Sequence, residues 1–221
     1  MNEQRTVLLA GGTGLVGGLM LEGLLADPQV ATAHALSRRA LSISHPKLCV
    51  HLVDFSRLPE LPHVDEVYLA LGTTIKVAGS QGAFRAVDLD ANLAVARAAA
   101  SAGARRVGLV SAAGADSRSS MFYNRVKGEL EDALKAMDLT ALVLAQPSLL
   151  LDKREGLSQP PRLGERIAIP IAKLLAPLLP GTYRPVYGRA VAQALLRTVP
   201  SGQGLIVLSS DELIRIGASR P

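Results

Sequence analysis

A chain of 221 residues is long enough for one sizeable core, and no linker divides it, so a single domain over 1–221 is expected. Apolar residues make up 48% of it but aromatic residues only 3%, which calls for an interior of Ala, Val, Leu and Ile and leaves few rings for stacking on bases. The net charge of +5 is scattered rather than gathered in one block, and nucleic acid is therefore not expected as a partner.

Short β-branched or Leu-rich runs alternate with longer helical patterns from the start of the chain to its end. Strands are predicted over residues 6–10, 33–37, 48–53, 66–71, 106–111, 141–144 and 205–209. Helices are predicted over 15–25, 84–102, 121–137 and 189–198. This rhythm is that of repeated βα units feeding a doubly wound parallel sheet of the Rossmann type, an α/β fold. Two stretches depart from it. Residues 73–82 read as a polar, Gly-containing loop after the fourth strand, and the Pro- and Arg-rich stretch 152–188 reads as a small substrate-side cap. The apolar run 174–179 within the cap is a candidate surface for a second copy or a protein partner.

The first apolar run, after Arg5, is interrupted by glycines and reads as a strand, a turn and a helix rather than a secretory leader. The run 167–180 is broken by Lys173 and three prolines, so no membrane span is expected, and a cytoplasmic location follows as the expectation. Cys49, within LCVHLV, reads as a reduced, buried strand residue. The four histidines lack ligand spacing, and no metal site is expected.

Gly11-Gly12-Thr13-Gly14-Leu15-Val16-Gly17 lies between the first strand and the first helix. Gly11 permits the sharp turn, Gly14 lets backbone N–H groups approach a pyrophosphate, and Gly17 lets the helix pack on the sheet. Thr13, Leu15 and Val16 share that loop. No Lys-Ser or Lys-Thr follows, which excludes a Walker phosphate loop. Ser37-Arg38-Arg39 ends the second strand, where an NAD site usually has a carboxylate and an Arg accommodates the 2′-phosphate of NADP(H). Asp54 and Phe55, after the third strand, are candidates to flank the adenine. Leu71, Gly72 and Thr73, after the fourth, are candidates to line the route to the nicotinamide.

Tyr123 and Lys127 are four apart and share one helix face. A tyrosine, with an ordinary pKa of about 10, becomes a useful base when a nearby cation favours the phenolate, and Lys127 can supply that field. Ser111 ends the fifth strand and can hydrogen-bond the substrate oxygen, completing a proton-transfer site beside a nicotinamide.

Taken together, GGTGLVGG, LGTT at 71–74, AGSQGAFRAVD at 78–88, SAAGADSRSSMFYNRVKGELE at 111–131 and QPSLLLDKRE at 146–155 resemble the atypical short-chain dehydrogenase/reductases. The likeness is greatest to the small NAD(P)-binding oxidoreductases related to the human Tat-interacting protein. It implies NADP(H) as ligand, with Tyr123 and Lys127 as the catalytic pair and Ser111 as the matched serine. Pro147 stands where relatives carry an Arg-Pro-Gly turn beside the nicotinamide, with Gln146 in place of the Arg and Ser148 in place of the Gly. Relatives usually show two serines where this chain has Ser111-Ala112.

The function expected is hydride transfer to or from a small carbonyl or alcohol substrate. The alternative is an NADPH-binding sensor with little turnover that recruits a partner through 167–180. Epimerase chemistry on a nucleotide sugar ranks last, because about forty residues of cap are too few for such a substrate.

Overall fold

A computed structural model describes residues 4–151 and 184–218. The cap assigned to 152–188, with the runs 167–180 and 174–179, lies almost wholly outside the described residues.

Seven parallel strands form one sheet: β1 (Arg5–Ala10), β2 (Val30–Ser37), β3 (Leu48–Leu52), β4 (Glu66–Leu69), β5 (Arg106–Val110), β6 (Ala141–Ala145) and β7 (Gly204–Leu208). Their spatial order is β3-β2-β1-β4-β5-β6-β7. The order reverses between β1 and β4, and in such sheets the crevice beyond the carboxyl ends at that point receives ligands.

Around the sheet lie α1 (Leu15–Ala26), two short helices α2 (Ile75–Ala78) and α3 (Gln81–Arg85), α4 (Asn92–Ser101), α5 (Phe122–Lys135), α6 (Gly188–Thr198) and α7 (Ser210–Ala218). Alternate side chains of β1 divide between the two faces. Val7 and Leu9 pack with Met20, Leu24, Val191 and Leu195 from α1 and α6. Leu8 and Ala10 pack with Phe84, Val95 and Leu130 from α3, α4 and α5. Both faces of the central strands are thus covered, as parallel sheets require.

Four expectations need correction. The helix expected over 84–102 is split by a π-helical turn, Ala86–Ala91, between α3 and α4. The loop expected over 73–82 contains α2, capped by the Thr74 side chain on Val77 N–H. The final helix α7 was not expected; Ser209 and Glu212 form its start, with the Glu212 carboxylate accepting from Ser209 N–H at 2.9 Å. Cys49 is exposed, because β3 is one of the sheet's two edge strands and is only partly covered.

Candidate functional site

The turn after β1 is shaped by close backbone approaches. Gly11 has φ +99°, and a Cβ there would lie 2.4 Å from the Ala70 carbonyl. A Cβ on Gly17 would lie 2.1 Å from Gly11 O, so α1 can rest on the turn only through a glycine. Gly14 is different. Its backbone is extended, and a Cβ would meet only Gly11 O at 3.3 Å. Nothing in the fold strictly demands glycine there, yet the residue faces the main cleft.

That cleft, of about 650 Å³, is lined by Thr13, Gly14, Leu15, Val16 and Gly17 on one side and by Ser111, Tyr123, Lys127 and Pro147 on the other. Leu71, Gly72, Thr73 and Arg39 complete its walls. The start of α1 has no side-chain cap and no acidic residue in its first turn, so its N–H groups remain to receive an anion. A smaller recess of about 50 Å³ adjoins it, lined by Gly11, Thr13, Ser37, Arg38, Arg39, Phe55 and Leu71. Arg38 and Arg39 are exposed, and neither forms an ion pair among the described residues. Ser37 Oγ donates to Arg39 O at 2.6 Å and so sets the course of the backbone there. Asp54 stands outside both linings, exposed, accepting from Ser56 N–H at 2.9 Å; this bond holds its carboxyl below the usual range.

Thus the structure gathers all the residues singled out in the sequence except Asp54. A nicotinamide dinucleotide fits what is present: a cradle at Gly14 that a Cβ would fill, uncapped helix N–H groups, and unpaired guanidinium groups one strand away.

The other half of the cleft is organised by two buried carboxylates that the sequence reading missed. Lys127 Nζ lies 2.7 Å from Asp88 Oδ1, and these residues are 4% and 1% exposed. Asp88 Oδ2 also accepts from Thr73 N–H at 2.8 Å. The π-helical turn carries Asp88 and leads into Asn92, which donates to Leu71 O at 3.1 Å. Both side chains therefore anchor the loop after β4.

Tyr123 is half-exposed, its ring 5.6 Å from Phe84 and its centroid 6.0 Å from Lys127 Nζ. One turn beyond Lys127, Glu131 accepts from Ser111 Oγ at 2.5 Å and from Gln146 Nε2 at 2.9 and 3.1 Å. The loops after β5 and β6 are tied by Ala113 N–H to Pro147 O at 2.9 Å, which brings Pro147 beside Ser111. One signal for Glu131 was present: it continues the fourfold spacing of Tyr123 and Lys127 along α5.

No protein-family model matches the chain. It is 34% identical to "Protein fmp52, mitochondrial" of Aspergillus clavatus over 96% of its own length and 97% of that protein. It is also 34% identical to the protein of that name from Emericella nidulans, covering 96% and 98%. Among solved structures it resembles a short chain dehydrogenase family protein from Francisella tularensis, with TM-score 0.68, 15% identity and coverage of 95% and 98%. It also resembles the Bordetella bronchiseptica enzyme WbmF in complex with NAD+, with TM-score 0.62, 16% identity and coverage of 97% and 77%. These structures share its fold. The cytoplasmic location expected from the sequence is corrected by the relatives, which are named as mitochondrial proteins.

Proposed function

The chain belongs to the Fmp52 family and has the Rossmann-type fold of short-chain dehydrogenases, and we propose that it is an NADP(H)-dependent oxidoreductase of small carbonyl or alcohol substrates, akin to the small oxidoreductases related to the Tat-interacting protein. The observation that carries this reading is the convergence of the glycine turn and the Tyr123–Lys127 pair on one cleft at the sheet's switch point. The N–H groups of Leu15, Val16 and Gly17 hold the pyrophosphate. Arg38 and Arg39 hold the 2′-phosphate with charge-assisted hydrogen bonds.

When bound, the reduced dinucleotide supplies a hydride to the carbonyl carbon. Tyr123 gives its phenolic proton to the carbonyl oxygen, and in the reverse direction it takes that proton back. Lys127 has three donors, of which Asp88 occupies one; the others remain for the ribose hydroxyls and the tyrosine oxygen. Pro147 and Leu149 line the same cleft as the glycine turn and give it an apolar patch of wall.

NADPH oxidation against small aldehydes, ketones and quinones tests the reading. Wild type is expected to turn over at least one of them, and Tyr123→Phe to bind NADPH normally without turnover. A rate that survives Tyr123→Phe unchanged would remove the proton-transfer role. The second reading, a dinucleotide-binding regulator, is favoured by one observation: Lys127 and Ser111 are each already bonded to a buried carboxylate. Tight NADPH binding with no turnover on any compound would select it.

A further inference from the structure

Ser111 follows β5 directly and lines the cleft, 5% exposed. The oxygen it touches, Glu131 Oε1, belongs to a carboxylate whose residue is 2% exposed. Gln146 Nε2 donates to both oxygens of that group. Its one ion-pair contact among the described residues is Lys135 Nζ at 3.7 Å, at the solvent-facing end of the same helix.

An ionised carboxylate can only accept hydrogen bonds, so the donor at the 2.5 Å contact is the serine hydroxyl. That hydroxyl has one proton. With the proton on the line to Glu131, Ser111 presents lone pairs to the cleft. A bare carbonyl oxygen beside Tyr123 then finds one proton donor rather than two, although donors aimed at that oxygen are what lower the barrier as charge develops on it. The lone pairs have a complementary use, since they can accept from an O–H carried by the substrate next to its reacting carbon.

We propose that Glu131 is a positioning residue that fixes Ser111 as a hydrogen-bond acceptor, so that the site selects carbonyl substrates bearing a hydroxyl on the neighbouring carbon. This rests on the NADP(H)-dependent reading of the cleft, and it names the substrate class of that same site. The reaction itself is unchanged: hydride adds to the carbonyl carbon, Tyr123 protonates the oxygen, and the neighbouring hydroxyl only donates to Ser111 Oγ. Glu131→Gln keeps the side-chain shape, but its amide N–H can donate to Ser111 Oγ, which frees the serine proton to turn into the cleft.

Two measurements test the assignment. Neutron diffraction from a deuterated crystal of the full chain is expected to place the Ser111 deuterium toward Glu131 Oε1, with none on Glu131. In Glu131→Gln the deuterium is expected to point into the cleft. Deuterium on Glu131, or a wild-type serine already donating into the cleft, would overturn the proposal. The second is kcat/KM for hydroxyacetone against acetone with NADPH. Wild type is expected to favour hydroxyacetone, and Glu131→Gln to reduce that preference about tenfold, the worth of one hydrogen bond.

In a Ser111→Ala background Glu131→Gln is expected to change nothing, because Glu131 acts through the serine. A preference untouched by Glu131→Gln, or a change that persists without Ser111, would contradict it. A chain that reduces other carbonyls of the panel but neither ketone would also contradict it; one that binds NADPH and reduces none of them fails the oxidoreductase reading, while the neutron density still decides how Ser111 is held.

Discussion

The two halves of the cleft are built on opposite principles. The half around Gly11–Gly17 is made of backbone: its turns are tight where a Cβ would strike a carbonyl, and its helix N–H groups are left without side-chain partners. The half around Tyr123 is made of side chains held by buried carboxylates, Lys127 by Asp88 and Ser111 by Glu131. The first therefore offers free backbone donors that suit an anion. The second holds its reactive groups in place through buried carboxylates and adjusts what they can donate.

The largest expected effect falls in the second half. Tyr123→Phe retains the ring that packs on Phe84 and removes only the transferable proton, so kcat should fall by roughly 10²–10⁴ while NADPH affinity is nearly unchanged. Parallel kinetics and NADPH titration check this. Lys127→Met probes the pairing directly. It strands the Asp88 carboxylate in the interior, and a lone buried charge costs about 3–5 kcal/mol, readable by urea unfolding. Adding Asp88→Asn should recover most of that loss but not the NADPH affinity, since the ribose contact stays missing. Recovery of both would show that Lys127 is only structural.

In the glycine half the sharper contrast is between two neighbours. Gly17→Val forces a side chain into Gly11 O and should destabilise the fold by about 3 kcal/mol. Gly14→Val should melt close to wild type, since a Cβ there meets only Gly11 O at 3.3 Å, and yet lose NADPH binding, because the position lines the cleft. A Gly14→Val protein that still binds NADPH would make the loop an ordinary turn. The smallest effect lies outside both halves. Burial and then the neighbouring His51 lower the His34 pKa below its ordinary 6.5, so the folded state favours the neutral ring. Stability is then full above about pH 6.5 and falls as the pH drops from there toward the lowered value. Melting His34→Gln beside wild type across pH 5–7.5 should show a flatter profile for the variant.

The geometry of the glycine half was legible because its signal is local: three glycines at fixed spacing lie between an apolar strand and an apolar helix. The strands were legible for the same reason, whereas their order across the sheet was not. The carboxylate half was not. Asp88 looks like any solvated charge on a helix, and its partner is a lysine on α5, across the fold. The π-helical turn that aims it leaves the apolar spacing of 84–102 undisturbed, so one continuous helix was the natural reading. Cys49 misled in the other direction: LCVHLV is apolar enough for a core, but only the sheet order reveals that β3 is an edge strand. The Ser209-Ser210-Asp211-Glu212 start of α7 did carry a capping pattern, written in neighbouring residues.

The central claim is that this cleft binds NADP(H) through the glycine turn, with Arg38 and Arg39 on the 2′-phosphate. Calorimetric titration of NADPH and NADH into wild type and Arg38→Ala tests it most directly. A charge-assisted contact is worth about 1.5–3 kcal/mol, so NADPH should bind wild type more tightly than NADH, and Arg38→Ala should weaken NADPH roughly tenfold or more while leaving NADH little changed. Equal losses for the two dinucleotides, or no binding of either to wild type, would contradict the account.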